Sequence, residues 1–173
     1  LDPGAFEDDP PTVVDLDSPR HRAIARRLAE ESVVLLSNDG VLPLRGWDAP
    51  PSRLAVIGPN ADRPEALMGC YSFVNHVLPR HPDVPAGLEL PSVLEALAAT
   101  GADVVHARGC DVEGRDTSGF DDAVAAARDA ALAVVEVGDQ AGLFGRGTVG
   151  EGNDAESLDL PGVQRDLVEA VVA

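Results

Sequence analysis

Beyond residue 53 the chain alternates short apolar runs with helical segments, and this narrows the possible folds more than any other feature. Leu54-Ala55-Val56-Ile57-Gly58 is continuously apolar and closed by Gly58-Pro59-Asn60, the pattern of a strand buried on both faces. Residues 103–106 read as a second strand and 131–138 as a third. Residues 91–100, with Val93, Leu94 and Leu97 inward, and the alanine-rich residues 121–130 read as helices. Pro161 opens a last helix with Val163, Leu167 and Val171 facing in. Three strand–helix units predict an α/β fold, an open, mostly parallel sheet with helices on both faces. Such sheets carry function in the loops beyond the carboxyl ends of their strands. The loops after Gly58, after His106 and above all after Gly138 are therefore the places to search.

The segment before the sheet has a different texture. Residues 1–17 hold three prolines and six acids and no basic residue, which predicts an extended acidic linker. Ser18-Pro19 is an N-cap followed by a proline at the first helical position. Ile24 and Leu28 share a face of that helix, with Ala25 beside them. Arg20, Arg22, Arg26 and Arg27 read as a solvated face with acidic partners, phosphate binding being the alternative. The apolar run Val33-Val34-Leu35-Leu36, a turn at Ser37-Asn38-Asp39-Gly40 and Val41-Leu42-Pro43-Leu44 follow. Residues 68–91, broken by Pro79, Pro82, Pro85 and Pro91, read as loop, and His76 and His81 within it as solvent-exposed rather than ligands. The last helix has no stop signal and the chain does not start with Met, so residues 18–173 are expected to be part of a larger domain. The missing leader leaves localisation open.

Charge excludes whole classes of partner. Thirty acidic residues face 13 basic ones, all arginine, for a net charge of −17. Such a surface repels phosphate backbones and anionic lipid, so neither nucleic acid nor membrane is an expected partner. No apolar stretch approaches the roughly 18–20 residues of a membrane helix. Cys70 and Cys110 lack metal-ligand spacing and read as two separate buried thiols, with a single disulfide as the alternative.

Residues 138–160 form a long loop with six glycines and five acids: Asp139, Glu151, Asp154, Glu156 and Asp159. A loop of this length in a compact α/β domain is usually functional or disordered. Gly145-x-Gly147-x-x-Gly150 is a literal dinucleotide fingerprint, but the strand ends seven residues too early, at Gly138, and the acids that follow would repel a pyrophosphate. The carboxylates do not follow the spacing of a calcium loop either, so no metal or cofactor is expected. A solvated acidic loop without a task remains one reading. The other centres on Gly150-Glu151-Gly152, where flanking glycines leave room for a ligand and let the loop aim one carboxyl as a general acid.

Gly150-Glu151-Gly152-Asn153-Asp154, followed by Leu158-Asp159-Leu160-Pro161-Gly162-Val163-Gln164, resembles the GEGxD…LxLPGxQ signature of glycoside hydrolase family 3. Glu31-Ser32-Val33-Val34-Leu35-Leu36-Ser37-Asn38 with Leu42-Pro43-Leu44 is similar to its ESxVLLKN…LPL. Val56-Ile57-Gly58-Pro59-Asn60-Ala61 is similar to its VIGPNA, and Gly138-Asp139 falls where its third strand ends. The resemblance runs from about residue 18 to residue 173. It implies a second domain, an α/β sandwich, that works beside an N-terminal (β/α)8 barrel carrying an aspartate nucleophile; neither that barrel nor the later part of the sandwich lies in this chain. Glu151 then stands at the general acid/base position of a retaining, exo-acting β-glycosidase, and the substrate is an oligosaccharide or aryl glycoside. The sequence Met68-Gly69-Cys70-Tyr71-Ser72-Phe73, with Gly138-Asp139-Gln140-Ala141-Gly142-Leu143, resembles the β-xylosidase branch more than the β-glucosidase branch. Phe144 and Arg146 could line the aglycone side, or serve as a loop anchor and a surface charge. Val149 and Ala155 replace the Ser and Arg common in the family, so the hydroxyl and cation those positions carry near the acid are missing, and Ser37 stands where Lys is common. The alternative function is a noncatalytic carbohydrate-binding or scaffold domain on the same sheet. The isolated chain, lacking the nucleophile, is expected to be inactive.

Overall fold

The computed structural model describes residues 15–44 and 53–173. They fall into two compact units, one reaching to Val41 together with Gly87–Glu89, the other formed by Leu42–Ala86 and Leu90–Ala173. The linker expected over residues 1–17 lies outside the described residues except for 15–17.

In the first unit, helix α1 spans Pro19–Ser32, and the Ser18 side chain accepts a hydrogen bond from the His21 amide at 3.2 Å, as the cap signal predicts. The arginine cluster is a solvated, paired face: Arg26 meets Glu30 at 2.7 Å, Arg27 meets Glu31 at 2.8 Å, and Arg22 meets Asp17 and Glu89. The Asp17 carboxyl is held below the usual range, first by the Glu89 amide and then by Arg22. Val33–Leu36 is extended, exposed and outside any strand. The expected turn closes through the Gly40 amide on Asn38 Oδ1 at 3.1 Å.

The second unit is built on a three-stranded parallel sheet of β1 (Leu54–Ile57), β2 (Val104–Ala107) and β3 (Leu132–Val135), in the order β2-β1-β3. Leu54 is level with Val104 on one side and Leu132 on the other. Strand β1 is central and wholly buried, as its unbroken apolar run requires. Its side chains alternate between two cores. Leu54 and Val56 face α3 (Val93–Ala98) through Leu94 and Leu97. Ala55 and Ile57 join the core of α4 (Phe120–Arg128) and α5 (Gln164–Val172), which contribute Ala123 and Leu167. Phe120, Val163 and Val171 pack on that second core. Burying a side chain the size of Ile57 or Leu167 contributes about 1.5–3 kcal/mol. The expected open parallel sheet with helices on both faces is the observed one.

The differences are local. Helix α3 starts at Val93 rather than Pro91 because Ser92 and Glu95 form a capping box, each side chain on the other's amide, at 3.1 and 2.8 Å. The expected loop over 68–91 contains one helical turn, α2 (Phe73–His76), capped by Ser72. Cys110 is buried, which pushes its thiol pKa up, whereas Cys70 is only half-buried; both are free. His76 and His81 are exposed as expected. Among the described residues no helix is long and apolar enough to cross a membrane.

Beyond β1 the backbone turns at Gly58, with φ of 127°, directly against β3. A Cβ there would stand 1.9 Å from the Glu136 carbonyl oxygen. Gly58→Ala is therefore expected to cost at least about 2 kcal/mol, from left-handed strain together with overpacking; equilibrium unfolding in urea measures it.

Candidate active site

The long loop starts where β3 leaves the sheet, and its root is gripped from two sides. From α5, the wholly buried Gln164 accepts a hydrogen bond from the Gly138 amide at 2.8 Å and donates to the Gly138 and Val112 carbonyls, both at 2.9 Å. From the β1 turn, Asn60 Nδ2 donates to the Gly138 and Asp139 carbonyls at 3.4 and 3.2 Å. Gly58 packed on Glu136 and Asn60 bonded across to the loop tie β1 to the end of β3. Asn60 and Gln164 both lie within the sequence motifs, which by themselves do not show these roles. A readable signal existed for Gln164: it shares the inward helix face with Leu167 and Val171, and a buried carboxamide must find partners.

The expected flexible loop is instead a paired structure. The Thr148 and Val149 amides reach the Gln140 carbonyl at 2.8 and 3.3 Å, and the Gly142 amide reaches that of Val149 at 2.9 Å. The Phe144 amide then reaches the Glu151 carbonyl at 2.9 Å. Residues 140–144 thus run alongside 148–151, joined through the turn at 145–147. Thr148 Oγ1 adds a tie, donating to Asp139 Oδ1 at 2.8 Å and accepting from the Gln140 amide at 2.9 Å. The glycine before Glu151 is explained by this pairing rather than by ligand access. Gly150 has φ of 124°, and a Cβ there would stand 1.9 Å from the Gly142 carbonyl oxygen.

The structure brings Glu151 and Phe144 together at the tip of the loop, with both side chains exposed. Phe144 holds φ of 53°, which is uncommon for an aromatic residue and the kind of strain that clusters at functional sites. Arg146 is exposed on the connecting turn, its carbonyl bonded by Asn153 at 2.6 Å. A neighbour that sequence reasoning did not place is the 68–73 loop. A Cβ on Gly150 would lie 3.0 Å from Cys70 Cβ, so the chain just before two exposed aromatics, Tyr71 and Phe73, runs beside the loop. Tyr71 stands edge-on to His76 with 5.8 Å between ring centres.

The loop also carries an acidic cleft beside the site. A cleft of about 410 Å³ on the loop is lined by Glu113, Asp139, Asp154, Glu156 and Asp159, which would repel any anion; Glu151 is not on its wall. Among the described residues no group of three or more His, Cys, Asp or Glu could hold a metal ion. Arg63 is neutralised by Glu65 at 2.9 Å and also reaches Gln140 at 3.1 Å. Burial raises the pKa of Glu136, at the loop root, and one of its carboxyl oxygens is buried without a partner.

Residues 33–173 match the family described as Glycosyl hydrolase family 3 C-terminal domain. The chain belongs to that family. It is 35% identical over 161 residues to a beta-xylosidase of Formosa agariphila, covering 91% of this chain and 21% of that protein. It is 31% identical over 185 residues to a periplasmic beta-glucosidase of Salmonella typhimurium, covering 98% of this chain and 23% of that protein. Among solved structures, a beta-glucosidase involved in saponin metabolism from intestinal bacteria superposes with a TM-score of 0.74 at 30% identity, over 89% of this chain and 23% of the other. A family 3 exo-beta-xylosidase superposes with a TM-score of 0.62 at 29% identity, over 88% and 17%. The family 3 domain described here thus spans about a fifth of the length of these relatives.

Glu136 yields a prediction for this family 3 domain. Because its folded pKa is raised, the folded state holds this proton more tightly than the unfolded chain. The associated stability is present at low pH and is lost as pH rises through the folded pKa. Glu136→Gln is expected to raise the melting temperature at pH 7, with the gain shrinking as pH falls into the ordinary glutamate range; paired thermal scans at both pH values check it.

Proposed function

We propose that this family 3 domain is the acid/base-carrying second domain of a retaining, exo-acting β-glycosidase, a β-xylosidase or β-glucosidase acting on terminal non-reducing β-linked sugars. The observation that carries the reading is the presentation of Glu151: an exposed carboxyl at the tip of a loop whose root and middle are pinned by hydrogen bonds. Its position in the family signature and the glycosidase names of the relatives support the same reading.

In this reading an N-terminal barrel of the same polypeptide supplies an aspartate nucleophile, and Glu151 meets it across the sugar with the two carboxyls about 5–5.5 Å apart. The aspartate attacks the anomeric carbon as the glycosidic C–O bond breaks, and the Glu151 proton passes to the leaving oxygen. Water then attacks the glycosyl-enzyme, gives its proton to the Glu151 carboxylate and releases the aspartate. Proton transfer benefits from a site closed to water. Glu151 is exposed in this chain, so the barrel and the bound sugar provide that closure. Phe144, Tyr71 and Phe73 offer exposed apolar faces for the aglycone. Arg146 on the same turn is the polar candidate for that subsite. The relatives named as beta-xylosidases, together with the Tyr71 segment, favour a pentoside over a hexoside.

In the assembled enzyme, Glu151→Gln is expected to lower kcat/KM at least about a hundredfold for alkyl or disaccharide leaving groups that need a proton. It should cost far less for activated nitrophenyl glycosides, which depart without one. Equal losses on both would remove Glu151 from the chemistry. The 173-residue domain alone is expected to show no turnover of aryl β-xylosides or β-glucosides; measurable hydrolysis by it would overturn the division of labour.

A further inference from the structure

The loop tip is held together by one side chain. Asn153 Oδ1 accepts from the Gly145 amide at 2.9 Å, its Nδ2 donates to the Arg146 carbonyl at 2.6 Å, and its own amide donates to the Gly150 carbonyl at 3.0 Å. Gly150 and Asn153 face each other as an isolated antiparallel bridge, with Glu151 and Gly152 as the two residues of the turn between them. One carboxamide therefore joins the turn that carries Glu151 to the segment that carries Phe144 and Arg146. Only an amide side chain offers an acceptor and a donor at that reach; Asp supplies the acceptor alone and Ala neither.

We propose that Asn153 is the positioning residue for Glu151: it fixes the turn so that the carboxyl is delivered to the glycosidic oxygen, and it holds Phe144 and Arg146 in register with it. This rests on the acid/base reading of Glu151. The clip complements the Phe144–Glu151 backbone bond, which anchors Glu151 only through its carbonyl. Without Asn153 the turn would pivot about that bond and the acid would lose its aim, while the sheet and both cores stay intact. Asn153 itself touches no reacting atom.

The test uses the assembled enzyme with Asn153→Ala, Asn153→Asp, Glu151→Ala and the double variant Glu151→Ala/Asn153→Ala. Each is assayed on an activated nitrophenyl glycoside and on a disaccharide, and amide hydrogen exchange is followed at residues 144–146. Asn153→Ala is expected to lose about ten- to a hundredfold in kcat/KM on the disaccharide, with a much smaller loss on the activated glycoside and faster exchange at Gly145. Asn153→Asp should fall between wild type and Asn153→Ala. In the Glu151→Ala background, removal of Asn153 should add no further leaving-group-dependent loss, because the two act as one unit. Equal losses on both substrates from Asn153→Ala, or full additivity in the double variant, would reduce Asn153 to a structural part and overturn the proposal. Wild-type rates on both substrates would overturn it as well. If Glu151→Ala itself shows no leaving-group dependence, the acid/base reading fails, and this result is separable from a failure of the clip alone.

Discussion

The grip of Gln164 on Gly138 is the interaction on which the rest of the site depends. A carboxamide with no solvent exposure must satisfy its polar atoms inside the protein, and leaving one unpaired costs about 1–3 kcal/mol. Gln164 does so by taking both the amide and the carbonyl of Gly138, plus the Val112 carbonyl. That single choice ties the end of β3 to the start of α5 and sets the point from which the long loop departs. Asn60 adds the second hold from the turn after β1. The loop leaves the sheet from a place fixed by two elements that also line the hydrophobic cores.

From that root outward, order is passed along by backbone pairing, with Leu143 as the loop's buried apolar anchor. Gln140 to Phe144 run beside Thr148 to Glu151; Gly150 lets the two segments approach to a distance that a side chain would forbid, and Gly142 does the same against the backbone of Arg146. A loop rich in glycine is usually read as mobile. Here the same composition permits close pairing, and Glu151 comes out exposed at the end of a braced arm. The acidic cleft lies elsewhere on the loop and does not include Glu151.

The fold was legible because its signal is redundant. Strand β1 announced itself by an unbroken apolar run, and α3 and α5 by their inward spacing, and the strand–helix alternation points to a parallel sheet, whereas the single turn of α2 lay in a stretch read as loop. Helix ends were less legible: the start of α3 was set by the reciprocal Ser92–Glu95 bonds, which only their three-residue spacing hints at. Within the site, Glu151 stood out through its flanking glycines and its motif. Phe144 was found beside it, and Arg146 lies on the adjoining turn. The burial of Gln164 was readable from its helix face, but its partners, like the roles of Asn60 and Asn153, were not, because a polar side chain's partners are set by proximity in the fold that no spacing rule encodes. The approach of Cys70, next to Tyr71 in sequence, to Gly150 is hidden for the same reason.

The most direct test of the central claim, that Glu151 is the acid/base of a retaining glycosidase, is chemical rescue with product stereochemistry. Glu151→Ala in the assembled enzyme, given an activated aryl β-glycoside and sodium azide, should turn over faster as azide increases. Because azide would enter the glycosyl-enzyme from the face vacated by the leaving group, the product should be the β-glycosyl azide. Absence of any azide effect, or formation of the α-glycosyl azide, would contradict the assignment.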